Sequence, residues 1–390
     1  RCRFHRLRIN RIRRVFSMSE EKKQTTSDVN VTELRIEKTE EVTDKKCPNC
    51  SATVEYDPAT RGMLCAFCGY KKTLPAPESE QSVSEIDFSQ ADRTESFNWG
   101  AEKKVVICKN CGGEEIYDAL ETAAVCSFCA STNVMPAAGA NSIAPGGVCP
   151  FIVSGDKAGG LFSKWLKGKI FTPREAKRSA RPEAFRGVYL PYWTFDTYTT
   201  STFNGSAGYN RMVKKGDTYI TETDWKNVSG IYQEFINDYS VVATDRDENS
   251  MVRRAEPFDF KQLVPYRPEL LAGFGAERYS VGLKDAWTKA QEGIRSILRG
   301  NIVTHIRKTW HADEGRVSSF STEFGRITYK YILLPVWLST FSYKGKVFQF
   351  VVNGQTGKVG GKAPVSPIRV VIAILIVIAI IALIGFLASM

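Results

Sequence analysis

Two segments of the chain carry apolar residues at helical spacing. The first is Lys157 to Lys167, with lysines on the rest of the helical wheel, and its apolar positions are Ala158, Leu161, Phe162, Trp165 and Leu166. The second is Asp285 to Ile306, and its apolar positions are Ala286, Trp287, Ala290, Ile294, Ile297, Leu298 and Ile302. Steps of three and four residues place side chains on one face of a helix. The pattern predicts two amphipathic helices, and we expect the second to cover a sheet as ordinary core rather than to hold a cofactor.

Two aromatic runs predict a pair of related β-units that pack together. Val188 to Phe195 and Ile332 to Ser339 each contain Leu-Pro-x-Trp and continue into a second aromatic, β-rich stretch. Proline in a strand belongs at an edge, a strand start or a bulge, so we expect both runs to bend at the proline. Val347 to Val352 followed by Asn353-Gly354 predicts a hairpin. The alternation from Thr218 to Ala243 predicts further strands.

The stretch from Val370 to Ala388 predicts a membrane anchor. Its nineteen residues carry no charge and no strongly polar side chain, and as a helix they span about 28 Å, close to the hydrocarbon thickness of a bilayer. A buried core helix is the alternative, but such helices are rarely apolar all round. Lys358, Lys362 and Arg369 precede the stretch and no charge follows it. The positive-inside rule therefore predicts a tail-anchored, single-pass protein of the inner or cell membrane with its N-terminal bulk in the cytoplasm.

Eight cysteines form two cassettes, each made of two Cys-x-x-Cys pairs separated by fourteen residues and offset from each other by 61 residues. This count and spacing are typical of zinc ribbons. The predicted ligands of two structural zinc ions are Cys47, Cys50, Cys65 and Cys68 in the first cassette (residues 46–75) and Cys108, Cys111, Cys126 and Cys129 in the second (residues 105–136). Disulfides or redox pairs are the alternative. Zinc is favoured because redox pairs do not explain a four-cysteine unit that occurs twice, and because the predicted cytoplasmic side is reducing.

The net charge of +11 overstates the basicity of most of the chain. Residues 1–17 contain seven arginines and no acid, and Met18 resembles a natural start, so residues 1–17 are interpreted as an upstream extension. Without them, 53 − 7 = 46 basic residues face 42 acidic ones, a net charge of +4. An Arg-rich nucleic-acid arm or a targeting segment is the alternative. Between Lys157 and Arg186, nine basic residues face two acidic ones, which indicates either a solvated face or a patch for membrane surface or phosphate.

These patterns predict an α+β protein with two N-terminal zinc ribbons, a β-rich domain with two Leu-Pro-x-Trp units and a covering helix, and a C-terminal transmembrane helix. The predicted boundaries are an extension at 1–17, a disordered lead-in at 18–45, ribbons at 46–75 and 105–136, linkers at 76–104 and 137–148, an α+β domain at 149–365 and the anchor at 368–388. Within the first linker, Phe88, Phe97 and Trp99 are candidates for docking. Cys149 has no partner at ligand spacing and is interpreted as a buried thiol.

No segment predicts catalysis, so we expect the chain not to be an enzyme. The three histidines, His5, His305 and His311, lie in no metal-binding motif. Residues 354–359 resemble a phosphate loop but lack its first glycine and its Ser/Thr, and they are interpreted as a turn. Asp245, Asp247 and Glu248 lie in a polar run that could bind a cation.

Further segments lie between the cassettes and the apolar tail: Pro150-Phe151-Ile152-Val153, Trp165-Leu166-Lys167-Gly168, Gly187 to Trp193, Leu271-Ala272-Gly273-Phe274, Glu277-Arg278-Tyr279 and Leu333-Leu334-Pro335-Val336-Trp337. Together with the cassettes, from Cys47 to Pro364, they resemble a bacterial family labelled TFIIB-type zinc-ribbon proteins and sometimes primosomal helicase-like proteins. The helicase label rests on the ribbons, and this chain has no Walker A motif. A membrane-anchored member of that family in Bacillus is associated with an SPFH-domain protein and the phage-shock-type stress system. The resemblance therefore implies a membrane-associated protein partner of SPFH type.

The favoured function is a membrane-anchored, cytoplasm-facing adaptor or scaffold that docks protein partners, in membrane stress or membrane organisation. It would contact membrane lipid through its C-terminal helix. The alternative is a nucleic-acid-binding protein of transcription or replication without helicase activity. Few basic residues lie on the cassettes, and the second carries Glu114, Glu115, Asp118 and Glu121. This is a poor electrostatic footprint for phosphate, so nucleic acid is not favoured.

Overall fold

The computed structural model describes residues 46–74, 83–90, 103–109, 113–118, 126–128, 131, 134–136, 143–179, 185–245 and 252–389. The predicted extension and lead-in, Phe97, Trp99, Cys111, Cys129, Asp247 and Glu248 lie outside these residues. The strands are β1 (Glu55–Asp57), β2 (Gly62–Leu64), β3 (Lys71–Thr73), β4 (Ile86–Asp87), β5 (Lys103–Cys108), β6 (Glu114–Asp118), β7 (Val134–Pro136), β8 (Gly147–Val148), β9 (Arg186–Lys215), β10 (Thr218–Val242), β11 (Val264–Pro265), β12 (Gly275–Glu277), β13 (Glu314–Tyr343), β14 (Lys346–Asn353) and β15 (Val359–Gly361). The α-helices are α1 (Gly155–Lys167), α2 (Arg174–Ser179), α3 (Leu283–Thr309) and α4 (Pro367–Ser389).

Two strands of thirty residues, β9 and β13, pair antiparallel at the centre of the fold. In the described part of the chain, this pair and ten further strands form one twelve-stranded sheet, while β1, β2 and β3 form a separate three-stranded sheet. β10 flanks β9, and β14 flanks β13. The fold is therefore mixed α+β with one apolar helix at its C-terminal end, as the sequence predicts.

Pro191 and Pro335 lie inside the long strands. The β9–β13 register shifts at Val317/Ser319 and Phe324/Ile327, away from both prolines, so neither proline lies at a bulge of this pair. The carbonyl of Pro191 accepts a hydrogen bond from Ala243, and that of Pro335 from Gly354. In a strand, the N–H and the C=O of one residue face the same side. The side on which each proline lacks an N–H therefore faces away from the β9–β13 pair.

On that outer side each long strand changes neighbour at its proline. β12 runs parallel to β9 before Pro191, and β10 pairs antiparallel after it. In the same way β8 runs parallel to β13 before Pro335, and β14 pairs antiparallel after it. A proline at such a junction costs no hydrogen bond of a continuous ladder. This placement explains how proline is accommodated in a central strand.

The tryptophans of the two Leu-Pro-x-Trp runs occupy matching positions. Trp193 Nε1 donates to the carbonyl of Val281 at 2.9 Å, and Trp337 Nε1 donates to that of Val153 at 2.8 Å. α3 begins two residues after Val281, and α1 begins two residues after Val153. We call α1, β9 and β10 the first half of the fold, and α3, β13 and β14 the second half. The tryptophan of each long strand thus binds the segment that leads into the helix of the other half, so the two halves are interlocked.

The predicted helices are confirmed, although Leu161, Trp165 and Ile297 of their predicted apolar faces are not fully buried. α3 buries every residue of its predicted stripe except Ile297, which is 45% exposed. α1 buries Ala158, Phe162 and Leu166, and its N-cap Ser154 accepts a hydrogen bond from the N–H of Lys157. The hairpin after Val352 is also present, since β14 pairs with β15. Its turn closes through Gly357 at φ 75°, where glycine avoids a Cβ clash.

Segments predicted as linkers contribute to the sheet. β4 pairs with β13, and the ring of Phe88 beside it lies 5.9 Å from that of Trp287, so Phe88 docks. β8, in the second predicted linker, pairs with β13. β6 of the second cassette pairs with β12. Backbone pairing therefore crosses the predicted boundaries between the cassettes and the α+β domain.

A candidate metal centre

Four thiols converge in the first cassette. Cys47 Sγ lies 3.3 Å from Cys68 Sγ, Cys50 Sγ lies 3.5 Å from Cys65 Sγ, and all four sulfur atoms lie within 4.8 Å of one another. A tetrahedral zinc ion with bonds of about 2.3 Å requires sulfur atoms about 3.8 Å apart, whereas a disulfide requires about 2.05 Å. The first four predicted ligands therefore form a group that could bind a metal ion, at a spacing too wide for a disulfide.

Each Cys-x-x-Cys pair of this cassette lies on a tight turn. The N–H of Cys47 donates to the carbonyl of Ala52, and the N–H of Cys65 donates to that of Tyr70. The chain reverses through Ser51 at φ 60° and Gly69 at φ 74°. These left-handed residues direct both thiols of a pair to one side of the turn.

The turn around Cys65 favours the thiolate, the form that binds metal. The backbone N–H of Cys68, followed by that of Phe67, lowers the pKa of the Cys65 thiol to about 7. The thiolate, and not the thiol, is the form of cysteine that acts as a nucleophile and as a metal ligand. The backbone donors of this turn thus favour the thiolate at Cys65, whereas the pKa of the Cys50 thiol is raised and that of the Cys68 thiol is raised to about 12.

The described part of the second cassette repeats the same backbone contact. The N–H of Cys108 donates to Gly113, and the N–H of Cys126 donates to Ser131. In both cassettes the donor is a cysteine and the acceptor lies five residues later. Cys108 and Cys126 are 1% and 3% exposed, while Cys111 and Cys129 lie outside the described residues. The second predicted ligand set is therefore only half described.

The first cassette contacts loop segments of the α+β fold through Tyr56. Its N–H donates to Ala272 at 3.0 Å, its hydroxyl donates to the carbonyl of Phe151 at 3.4 Å, and burial raises the pKa of the Tyr56 hydroxyl to about 12. A cavity of about 680 Å³ remains beside this contact, lined among others by Arg61 and Leu263. The thiol cluster is thus held on a surface of the α+β fold.

The phenylalanine before the fourth cysteine of each cassette differs sharply in its exposure to solvent. Phe67 is 84% exposed on the outside of its turn, whereas its counterpart Phe128 is 5% exposed. The carbonyl of Phe128 accepts a hydrogen bond from Gln349 of β14. The ring of Phe128 is therefore buried inside the molecule, and the equivalent ring of Phe67 is exposed to solvent.

An ionic cluster around the buried Lys330 joins the segment between the cassettes to the central sheet. Lys330 Nζ lies 2.7 Å from Asp238 Oδ1, 3.1 Å from Glu85 Oε1 and 3.9 Å from Asp196 Oδ2. Burial, with a hydrogen bond to Glu85, raises the pKa of Asp196 to about 7. The hydrogen bond from Asp196 lowers the pKa of Glu85 to about 2. Asp196 thus keeps its proton to a higher pH than an ordinary aspartate, while Glu85 beside the same lysine ionises more readily. Sequence reasoning missed this cluster, and a lysine within an apolar strand was its one visible signal.

The other predicted functional residues lie apart from the thiols. The N–H of Asp245 donates to Ser280 Oγ, and His305 lies among aromatic rings, 5.2 Å from that of Tyr232. His311 is exposed beyond the end of α3. Cys149 is fully buried, and burial raises the pKa of its thiol to about 12. The structure does not bring these residues together into one site.

The helix α4 is apolar and uncovered. Among the described residues it is the one helix long and apolar enough to cross a membrane, and none of its Pro367–Gly385 stretch is buried. Its 23 residues correspond to about 34 Å. This helix is compatible with a single-pass membrane protein.

Fold and site together define a mixed α+β protein with one apolar helix and a four-cysteine group that could bind a metal. No family model matches the chain, and no solved structure matches it. A curated relative, the uncharacterized protein YdjG of Bacillus subtilis (strain 168), is 28% identical over 332 residues, which cover 82% of this chain and 90% of the relative. The similarity extends over most of both chains.

Proposed function

We propose that this protein is a zinc-ribbon adaptor, anchored in the membrane by α4, that docks a protein partner from the cytoplasmic side. The observation that carries the proposal is the exposure of Phe67 beside the thiol cluster, set against the burial of Phe128 at the equivalent position. Exposed aromatic side chains on a rigid support are typical anchors of protein interfaces. A metal-held turn is such a support.

Zinc is the metal that the donor set favours. Four thiolates in tetrahedral spacing suit zinc, and they would fill every coordination position. Such an ion would stabilise the cassette, in which three strands of three residues each enclose little apolar core. We assign a second structural zinc ion to Cys108, Cys111, Cys126 and Cys129, supported by the repeated backbone contact.

The charges before α4 favour a cytoplasmic location of the folded part. Lys358, Lys362 and Arg369 lie within the twelve residues that precede the uncharged stretch from Val370. Basic residues next to a membrane span stay on the cytoplasmic side. That compartment keeps thiols reduced, which agrees with the use of the cassettes for metal.

The partner class follows from the family resemblance. Members of the TFIIB-type zinc-ribbon family that this chain resembles include a membrane-anchored protein associated with an SPFH-domain protein and phage-shock-type stress. We therefore propose an SPFH-type membrane protein as the first partner to test. The apolar helix supports this choice, since both proteins would lie in the same membrane.

Purification of the full chain from detergent-solubilised membranes tests the adaptor. The unaltered chain is expected to retain the SPFH-type protein, whereas Phe67→Ser and Cys47→Ser/Cys50→Ser are expected to lose it. Tyr219→Ser is the matched control, because Tyr219 is also an exposed aromatic residue, 64% exposed on the β9–β10 hairpin, and it should leave binding unchanged.

Stability measurements separate lost binding from lost folding. Phe67→Ser is expected to change the free energy of unfolding by less than about 0.5 kcal/mol, whereas Phe128→Ala is expected to cost about 3 kcal/mol because it empties a buried site. If Phe67→Ser is as stable as the unaltered chain and still retains the partner, the proposed docking surface is wrong.

A further inference from the structure

The loop between α1 and α2 is attached to the first turn of α4. We name residues 168–173 the corner loop. Arg369 Nη1 donates to the carbonyl of Ile170 at 2.9 Å and to that of Thr172 at 2.7 Å. The N–H of Ser366 donates to the carbonyl of Phe171 at 2.8 Å. Arg369 is the last charged residue before the apolar stretch, so the corner loop lies at the polar boundary of the proposed membrane span.

Apolar side chains project from this boundary into solvent. Ile170 is 71% exposed and Phe171 36% exposed on the corner loop, and Val365 and Ile368 at the start of α4 are 60% and 71% exposed. The carbonyl groups of the loop are engaged by Arg369 and Ser366, which fixes the backbone while leaving these side chains uncovered. Apolar groups at the level of lipid headgroups can insert into the acyl boundary.

Cations surround the exposed apolar residues. From Lys164 to Arg178 the chain has six basic residues and one acidic residue, Glu175. Five of the basic residues are exposed: Lys164, Lys167, Lys169, Arg174 and Arg178. Lys177 instead donates to the carbonyl of Lys167 at the end of α1. An exposed basic surface next to a membrane span is complementary to anionic headgroups.

We propose that the corner loop and its cations bind the surface of an anionic phospholipid bilayer. Ile170 and Phe171 insert between the headgroups, and the five exposed cations contact lipid phosphates. The inference rests on the proposed anchoring by α4 and adds a second contact with the same membrane. Together the two contacts fix the tilt of the folded part, and with it the direction in which the thiol cluster faces.

Hydrogen exchange on the full chain in lipid discs tests this proposal. Amides of the corner loop are expected to exchange on the order of tenfold more slowly in phosphatidylglycerol discs than in phosphatidylcholine discs. The variant Lys164→Gln/Lys167→Gln/Lys169→Gln is expected to exchange at equal rates in both lipids. Lys214→Gln/Lys215→Gln, which removes two exposed lysines at the β9–β10 turn, is the matched control and should keep the difference.

The apolar contact has its own variant. Ile170→Ser/Phe171→Ser is expected to speed exchange of the corner loop in both lipids, and unchanged exchange in β9 and β13 would show that the fold is intact. Equal exchange of the unaltered chain in both lipids overturns the proposal while leaving the anchor in place. A chain that does not enter lipid discs at all contradicts the proposed anchoring by α4, and with it the proposed contact of the corner loop with the bilayer surface.

Discussion

At the scale of single residues, the raised pKa of Asp196 and the lowered pKa of Glu85 predict how stability depends on pH. The folded pKa of Asp196 is about 7, above the usual value of about 3.9 for aspartate. The folded state therefore binds more protons than the unfolded state between these values, so stability falls as pH rises through this window, by at most about 1.4 kcal/mol per pH unit. Glu85, with a pKa of about 2, contributes stability that is lost as pH falls from its usual value towards 2.

The variant Asp196→Asn tests this assignment, because an amide resembles the protonated carboxyl group and cannot ionise. We expect thermal unfolding of the variant in detergent to lose the fall in midpoint between pH 4 and 7, and the variant to be more stable than the unaltered chain at pH 8. Parallel pH curves for the two proteins would show that Asp196 does not hold the proton.

Individual residues also show which features of the molecule could be predicted from the sequence and which could not. The four-cysteine group of the first cassette was predictable because spacing alone determines such a unit. The pairing of Lys330 with Glu85 was not, because 245 residues separate them and neither lies in a motif. Phe67 and Phe128 look equivalent in sequence, and only the contact of one with β14 distinguishes them.

At the scale of elements, the two Leu-Pro-x-Trp runs predict matched effects of mutation. Trp193→Phe and Trp337→Phe each leave a carbonyl unpaired at the entrance to a helix, that of Val281 or of Val153. We expect each variant to cost about 1 to 3 kcal/mol, and the two costs to be similar. Denaturant unfolding of the full chain in detergent measures both. A cost for one variant and none for the other would contradict the equivalence of the two halves.

Periodicity predicted α1 and α3 well because apolar spacing records which face is buried. It placed Ile297 in the core wrongly, since the apolar stripe in the sequence is wider than the buried face of the helix. The prolines show the reverse case. Their position at a change of neighbouring strand depends on β8 and β12, which come from distant parts of the chain, so local chemistry alone could not show it.

At the scale of the whole molecule, composition suggested modules joined by linkers, and backbone pairing joins them more closely. β4 and β8 are too short to carry a strand pattern, and β6 continues the large sheet from within the second cassette. Such additions leave no signal in hydrophobic spacing. Mixed α+β class and the apolar terminal helix, in contrast, were predictable because each rests on long segments.

The central claim is that the cassettes hold zinc, and the metal content of the purified full chain tests it most directly. We predict about two zinc ions per chain, about one in Cys65→Ser/Cys68→Ser, and about two in Cys149→Ser, which removes a buried thiol outside the cassettes. A chain purified without zinc, or a zinc content that Cys65→Ser/Cys68→Ser leaves unchanged, would contradict the account.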